Sequence, residues 1–236
     1  MNELLLLASV VFIFGMTLIG YKFWGKSGLY GLSAVATILA NIEALLLIDA
    51  FGMEQTLGNV LFAVTFLITD ILSECEGKKA ANQAVFIGIF SSIFFLILSQ
   101  SWLIYTPSEN DTMMGAFRTV FANTPRMVLS SLVVYAVSQL FDVWLYHKWW
   151  ELTERKFGDR RRFLWLRNNG STLISQILNT LLFTLFAFWG TYDGHTLFSI
   201  FCSSYVIFIF TSLVDTPFVY LARRIHEKEM GRHCNS

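Results

Sequence analysis

Charge is what this sequence has least of. Asp, Glu, Lys and Arg make up 14% of its 236 residues, against 55% hydrophobic residues, where a water-soluble domain carries about 25% charge. No aqueous domain is left once the apolar runs are removed. Lys plus Arg and Asp plus Glu balance at 17 each, so there is no basic surface of the kind a nucleic acid needs. Cysteine is also scarce. Cys75, Cys202 and Cys234 stand far apart, fit neither a metal pair nor a disulfide framework, and read as small apolar residues. The motifs HExxH, GxSxG, CxxC and the P-loop are all missing, and His147, His195, His226 and His233 have no metal spacing. The expectation is therefore no enzyme, no metal, no cofactor and no ATPase module.

What the sequence does have is a series of long apolar runs. A membrane-crossing helix needs about 20 of them in a row, and the candidates are 4–23, 28–51, 58–75, 80–105, 125–148, 170–191 and 196–222. This predicts an all-α, polytopic membrane helix bundle forming one domain over 1–236, with seven spans. Six is the alternative, because 58–75 is the shortest and most polar run. The first run follows Glu3 rather than a basic start and meets Lys22 and Lys26 afterwards, so it reads as a retained span and not a signal peptide. The stretch 112–123 alternates apolar and polar residues and suits an interfacial helix. Pro125 then sits at a helix-start position.

The charges choose between the counts. Lys22 and Lys26, Lys78 and Lys79, seven basic residues over 148–167, and Arg223, Arg224, Lys228 and Arg232 follow alternate spans; together they are 15 of the 17 Lys and Arg. The intervening connections carry Asp49, Glu54, Glu109, Asp111 and Asp193, with only Arg118 and Arg126 among the basic residues. This is the positive-inside pattern for seven spans, N-terminus outside and C-terminus cytoplasmic. The basic 148–167 stretch is read as a cytoplasmic loop that sets topology.

Polar residues inside the runs mark the functional candidates. Ser138-Gln139-Leu140-Phe141-Asp142 and Ser175-Gln176-Ile177-Leu178-Asn179 repeat one step, Ser-Gln, two apolar residues, then Asp or Asn. Positions i and i+3 share a helix face, so each amide points with its partner into a region where polar groups are expensive. Gln139, Gln176 and Asn179 could be interhelical glue or ligand contacts. Asp70 lies about 18 Å into a core of roughly 30 Å, and carboxylates at the depth of Asp70 and Asp142 usually have a function. Asn41 falls towards the outer half. Glu74 is placed to line the inner mouth, although Glu74 and Glu76 also read as solvated loop charges. Asp215 reads as a cap for Pro217, and Arg126 as an interface anchor, a gate or a counter-ion.

An ordered set of short motifs completes the picture. It comprises Gly58-Asn59-Val60-Leu61-Phe62, Leu67-Ile68-Thr69-Asp70-Ile71-Leu72-Ser73-Glu74, Gly77-Lys78-Lys79-Ala80 and Pro125-Arg126. Ser138-Gln139 with Asp142, Trp165-Leu166-Arg167-Asn168-Asn169-Gly170-Ser171-Thr172, Ser175-Gln176 with Thr180, Tyr205 and Thr216-Pro217 follow. In order and spacing the chain resembles the queuosine precursor transporters, also described as vitamin uptake transporters, from about Asn41 onwards. The resemblance implies an importer of 7-deazaguanines such as preQ0 or preQ1 in the bacterial cytoplasmic (inner) membrane, without its own ATPase. The chain departs from the family at Asn179, where Asp is usual, and at Phe208, where Lys is common; family members are also often described with six spans.

A deazaguanine offers N1–H and an exocyclic amine that a carboxylate accepts in bidentate fashion, a carbonyl for an amide donor, and a flat face for aromatic stacking. The expected substrate-binding set is Asp70, Gln139, Asp142, Gln176, Asn179, Asn41, Glu74 and Tyr205, with Asp142 or Asp70 on the base edge and the Gln residues orienting it. Arg126 is the expected gate or counter-ion. The expected partners are the small-molecule base and the lipid bilayer; a homo-oligomer is compatible with the sequence. The alternatives are a substrate-binding membrane subunit of an ATP-driven vitamin or nucleobase uptake complex, and, from another class, an intramembrane enzyme using the buried carboxylates.

Overall fold

The computed structural model describes residues 1–121, 125–158, 162–190 and 192–233, with the side chains of 53–54, 125–128 and 231–233 outside that description. The chain folds as a membrane helix bundle, and among the described residues six helices are long and apolar enough to cross a bilayer. The first of them, α1 (Asn2–Glu43), would be about 63 Å long if straight. It is not straight. Gly25 breaks it at φ 56° and ψ −143°, and the Asn2 side-chain amide donates to the Asp49 carbonyl at 2.9 Å. The five residues between Glu43 and Asp49 could never span 63 Å, so α1 folds back on itself and makes two passes. Gly28 allows the return: a Cβ there would stand 2.4 Å from the Gly20 carbonyl oxygen. The described residues therefore make seven passes in six long helices.

The second pass ends earlier than the expected 28–51. The helix stops at Glu43, and β1 (Leu47–Ala50) pairs antiparallel with β2 (Met53–Thr56). Phe51 and Gly52 close the hairpin at φ 55° and 72°, the two positive values that a tight two-residue hairpin turn requires. An apolar run cannot tell a strand from the end of a helix, and this turn decides it.

The central element is α2 (Gly58–Cys75), buried over 78% of its length. This explains why the run 58–75 looked short and polar: protein, not lipid, surrounds it. After the Gly77 turn come α3 (Lys78–Trp102) and the short α4 (Met114–Phe121), close to the interfacial helix expected over 112–123. Phe117 and Phe121 of α4 pack edge-on against Trp102, and Phe121 against Phe95 of α3.

The last three helices are α5 (Pro125–Phe157), α6 (Leu164–Phe188) and α7 (Gly194–His233). They overrun the expected limits of 125–148, 170–191 and 196–222 at their cytoplasmic ends. The basic 148–167 stretch is therefore mostly helix, since charged and aromatic residues can continue a helix beyond the roughly 30 Å that lipid sets. Asp193 starts α7, accepting from the His195 amide and the Thr196 hydroxyl as an N-cap does. The hydrogen bond from the Thr196 hydroxyl holds the Asp193 carboxyl below its ordinary range.

Candidate functional site

Polar side chains form three layers along the bundle axis. The outer layer is a cavity of about 80 Å³ where the second arm of α1 and α6 end and α2, α5 and α7 begin; one ordered water needs only about 10–15 Å³. Phe62, Phe183, Phe188 and Phe208 supply its aromatic wall, and Asn41, Asn59, Tyr135 and Asn179 its polar wall. Asn41 donates to the Thr37 carbonyl at 2.8 Å and reaches Ser92 Oγ at 3.5 Å. Asn179 Nδ2 donates to Gln176 Oε1 at 3.0 Å. Three wall atoms, Asn59 Nδ2, Asn179 Oδ1 and Tyr135 Oη, are buried with no hydrogen-bond partner among the described residues, and such atoms are costly unless something binds them.

The middle layer is organised by one face of α6. Asn168, Thr172, Ser175 and Asn179 recur at spacings of four, three and four, so they line up along the helix over a rise of about 16 Å. The first three each hold a carboxylate from a different helix. Asn168 Nδ2 donates to Asp215 of α7 at 2.7 Å, Thr172 Oγ1 to Asp70 of α2 at 3.2 Å, and Ser175 Oγ to Asp142 of α5 at 2.7 Å. Beside this ladder Gln139 joins α5 to α2: its Nε2 donates to Thr65 Oγ1 at 2.6 Å, and its Oε1 accepts from Thr69 Oγ1 at 3.1 Å. Asp70, Asp142 and Gln139 are completely buried.

The inner layer closes the cytoplasmic end. Arg167, at the start of α6, donates through Nε and Nη2 to both oxygens of Glu74 at 2.7–2.9 Å. Tyr146 donates to Glu74 Oε2 at 2.7 Å and Arg223 Nη1 lies 3.2 Å from Oε1. The guanidinium of Arg167 sits 4.3 Å over the Trp150 ring, and its Nη1 donates to the Arg162 carbonyl. Glu74 and Arg167 are 3% and 0% exposed, so this ion pair is almost wholly buried. Glu74 to Phe62 on α2 is about 18 Å, which is the depth of protein between cavity and seal.

Residues 56–222 match the family model described as "Putative vitamin uptake transporter". A "Probable queuosine precursor transporter" of Bacillus subtilis (strain 168) is 35% identical over 212 residues, covering 90% of each chain. The chain belongs to the queuosine precursor transporter family. The "Queuosine precursor transporter" of Escherichia coli (strain K12) is 26% identical over 147 residues, 62% of this chain and 61% of that one. No solved structure matches. The protein is thus a multi-pass membrane protein of a transporter family, not an enzyme.

Of the residues expected at the transporter's substrate site, Asn41 and Asn179 line the cavity, and Gln176 holds Asn179 from behind. Asp70, Gln139 and Asp142 lie below it, in the middle layer. Glu74 is not a solvated loop charge; it is the buried acceptor of the inner seal. Tyr205 lies apart from the cavity lining, half-buried, its hydroxyl donating to the Leu173 carbonyl at 3.3 Å. The Arg126 side chain lies outside the described residues. Asp215 does touch Thr216, as a cap for the proline would, at 3.5 Å, but its shorter bond is to Asn168. Asn179 and Phe208, the two positions where the chain departs from the family pattern, both face the cavity.

Sequence reasoning passed over several residues. Asn59, Phe62 and Tyr135 of the cavity wall carried no depth signal strong enough to separate them from packing. Arg167 was counted among the topology charges, and only its place at the start of an apolar run hinted at burial. The polar spacing at 168, 172, 175 and 179 was visible, but which carboxylate each rung holds depends on helix packing.

Proposed function

We propose that this chain imports 7-deazaguanine precursors of queuosine, such as preQ0 and preQ1, across the bacterial cytoplasmic membrane without an ATPase of its own. The names of its relatives support the cargo, and the cavity supports a flat, hydrogen-bonding ligand. The observation that carries most weight is the set of three unpartnered atoms on the cavity wall. Asn179 Oδ1 accepts from the base's N1–H and amine edge, Asn59 Nδ2 donates to its carbonyl, and the Tyr135 hydroxyl does either. Phe62 and Phe208, tilted against each other with ring centroids 6.3 Å apart, offer the ring an aromatic wall. Asn41 borders the same face, and Gln176 fixes the turn of the Asn179 amide.

In this reading the substrate enters from outside, and the Glu74–Arg167 pair keeps the cytoplasmic end shut until the cargo is bound. Asp70, Gln139 and Asp142 line the path between cavity and seal, and Tyr205 steadies α6. The test is purified protein alone in proteoliposomes, followed by counterflow of labelled preQ1. Saturable exchange competed by preQ0 is expected. Exchange that appears only with an added energising module would transfer the chain to the ATP-driven subunit reading.

A further inference from the structure

The carboxylate ladder has more polar chemistry than a neutral base requires. Three Asp side chains from α2, α5 and α7 meet one face of α6 within a rise of about 10 Å, and the donors that reach them are neutral: Thr172, Ser175, Asn168 and Thr216. Asp70 Oδ1 and Asp142 Oδ2 are buried with no hydrogen-bond partner among the described residues. So is Asn168 Oδ1, on the amide that holds Asp215. Removing a carboxylate from water without a compensating charge is so costly that the group takes a proton instead. The nearest buried cation, Arg167, is committed to Glu74 and the Arg162 carbonyl.

The other titratable and charged groups around the ladder are few. Glu74 on α2 and Arg223 on α7 belong to the inner seal, and so does Tyr146 on α5; His147 on α5 stacks on Trp150. On α3 the only charges are Lys78 and Lys79, exposed in its first turn. On α1, Tyr21 is bonded to Glu76 and to His226 of α7. Among the described residues no group of three or more His, Cys, Asp and Glu side chains is arranged to hold a metal ion.

We propose that Asp70, Asp142 and Asp215 form a proton-carrying track, and that inward movement of the cargo is coupled to proton entry along it. The coupling half of this proposal rests on the import reading above. Each step forms one carboxyl O–H bond from a proton on the outer side and breaks one towards the cytoplasm. No redox partner or covalent intermediate is involved. The polar face of α6 runs from the cavity at Asn179 to Asn168 at the edge of the seal, so cargo and proton act on the same helix.

Two measurements decide it. The first needs no cargo: infrared spectra of the full-length protein in lipid, compared between acidic and alkaline buffer. A carbonyl stretch of protonated carboxylic acids is expected, diminished in Asp142→Asn and again in Asp70→Asn; its absence from the wild-type protein at every pH overturns the track. The second uses wild-type proteoliposomes and labelled preQ1. Accumulation driven by an inside-alkaline pH gradient and abolished by a protonophore supports coupling. Accumulation driven by a sodium gradient, or unaffected by either gradient, overturns it while leaving the cargo intact. Absence of uptake under every gradient sinks the import reading, and with it the coupling, whereas the infrared result still decides whether the track holds protons.

Discussion

Arg167 grips both carboxylate oxygens of Glu74 from the opposite side of the cytoplasmic mouth, 93 residues away in sequence, with neither side chain reaching water to any useful extent. Removing one partner of such a pair strands the other as a buried charge, at a cost of about 3–5 kcal/mol. Glu74→Met strands Arg167 in this way, whereas Glu74 without Arg167 would keep Arg223 and Tyr146. Glu74→Met should therefore lower the thermal unfolding temperature of the detergent-solubilised protein by several degrees. The double variant Glu74→Met with Arg167→Met should recover most of the loss, because an apolar pair of similar volume is often neutral. A single variant as stable as the wild type would show that the pair is not sealed from solvent.

The second prediction concerns selectivity. In Asn179→Asp a carboxylate replaces the amide that donates to Gln176 Oε1. The Gln176 amide then has to turn over and present its NH₂ group, and the new charge faces the cavity. Both bases keep the N1–H and amine contact to this position, and the cationic aminomethyl arm of preQ1, on the far side of the ring, adds an attraction through space that the neutral preQ0 lacks. Competition against labelled preQ1 should shift by about tenfold or more in favour of preQ1, the order of a charge–charge attraction across the width of the base at an effective dielectric constant of about 20. An unchanged preQ0-to-preQ1 ratio would place the ligand elsewhere.

Gly88 of α3 tests the cavity wall from behind. A Cβ there would lie 2.2 Å from the Tyr135 hydroxyl and 2.8 Å from its ring. Gly88→Ala should push Tyr135 off its position, at an overpacking cost of about 1–3 kcal/mol, and weaken preQ1 binding while the protein still inserts. Binding measured by isothermal titration, with membrane yield as the control, separates the two effects.

The two-pass reading of α1 predicts a labelling pattern. In a background lacking Cys75, Cys202 and Cys234, cysteines placed at Asn2 and at Asp49 should both react with a membrane-impermeant reagent from outside. A cysteine at Gly158 should react only after permeabilisation. Opposite labelling of positions 2 and 49 would mean that α1 crosses once, against the bond between them.

The bundle was legible in the sequence because membrane spans announce themselves locally, through apolar length and the sign of the flanking charge. The end of the second pass was not, since Leu45–Ile48 reads equally as span or strand until the Phe51-Gly52 turn is recognised. The site was half legible. Asn41, Asn179 and the depth of Asp70 and Asp142 could be read from position along a helix. The Arg167–Glu74 pair and the partners of each carboxylate could not, because they join residues 33 to 102 positions apart through packing that no single run encodes.

The central claim is import of queuosine precursors, and the most direct measurement is queuosine content of tRNA in cells lacking their own importer and supplied with limiting preQ0, preQ1 or queuine. Expression of this chain should restore queuosine with at least one of the deazaguanines, and the Asn59→Ala, Asn179→Ala double variant should not. No restoration with any of the three, from protein shown to be in the membrane, would contradict the account.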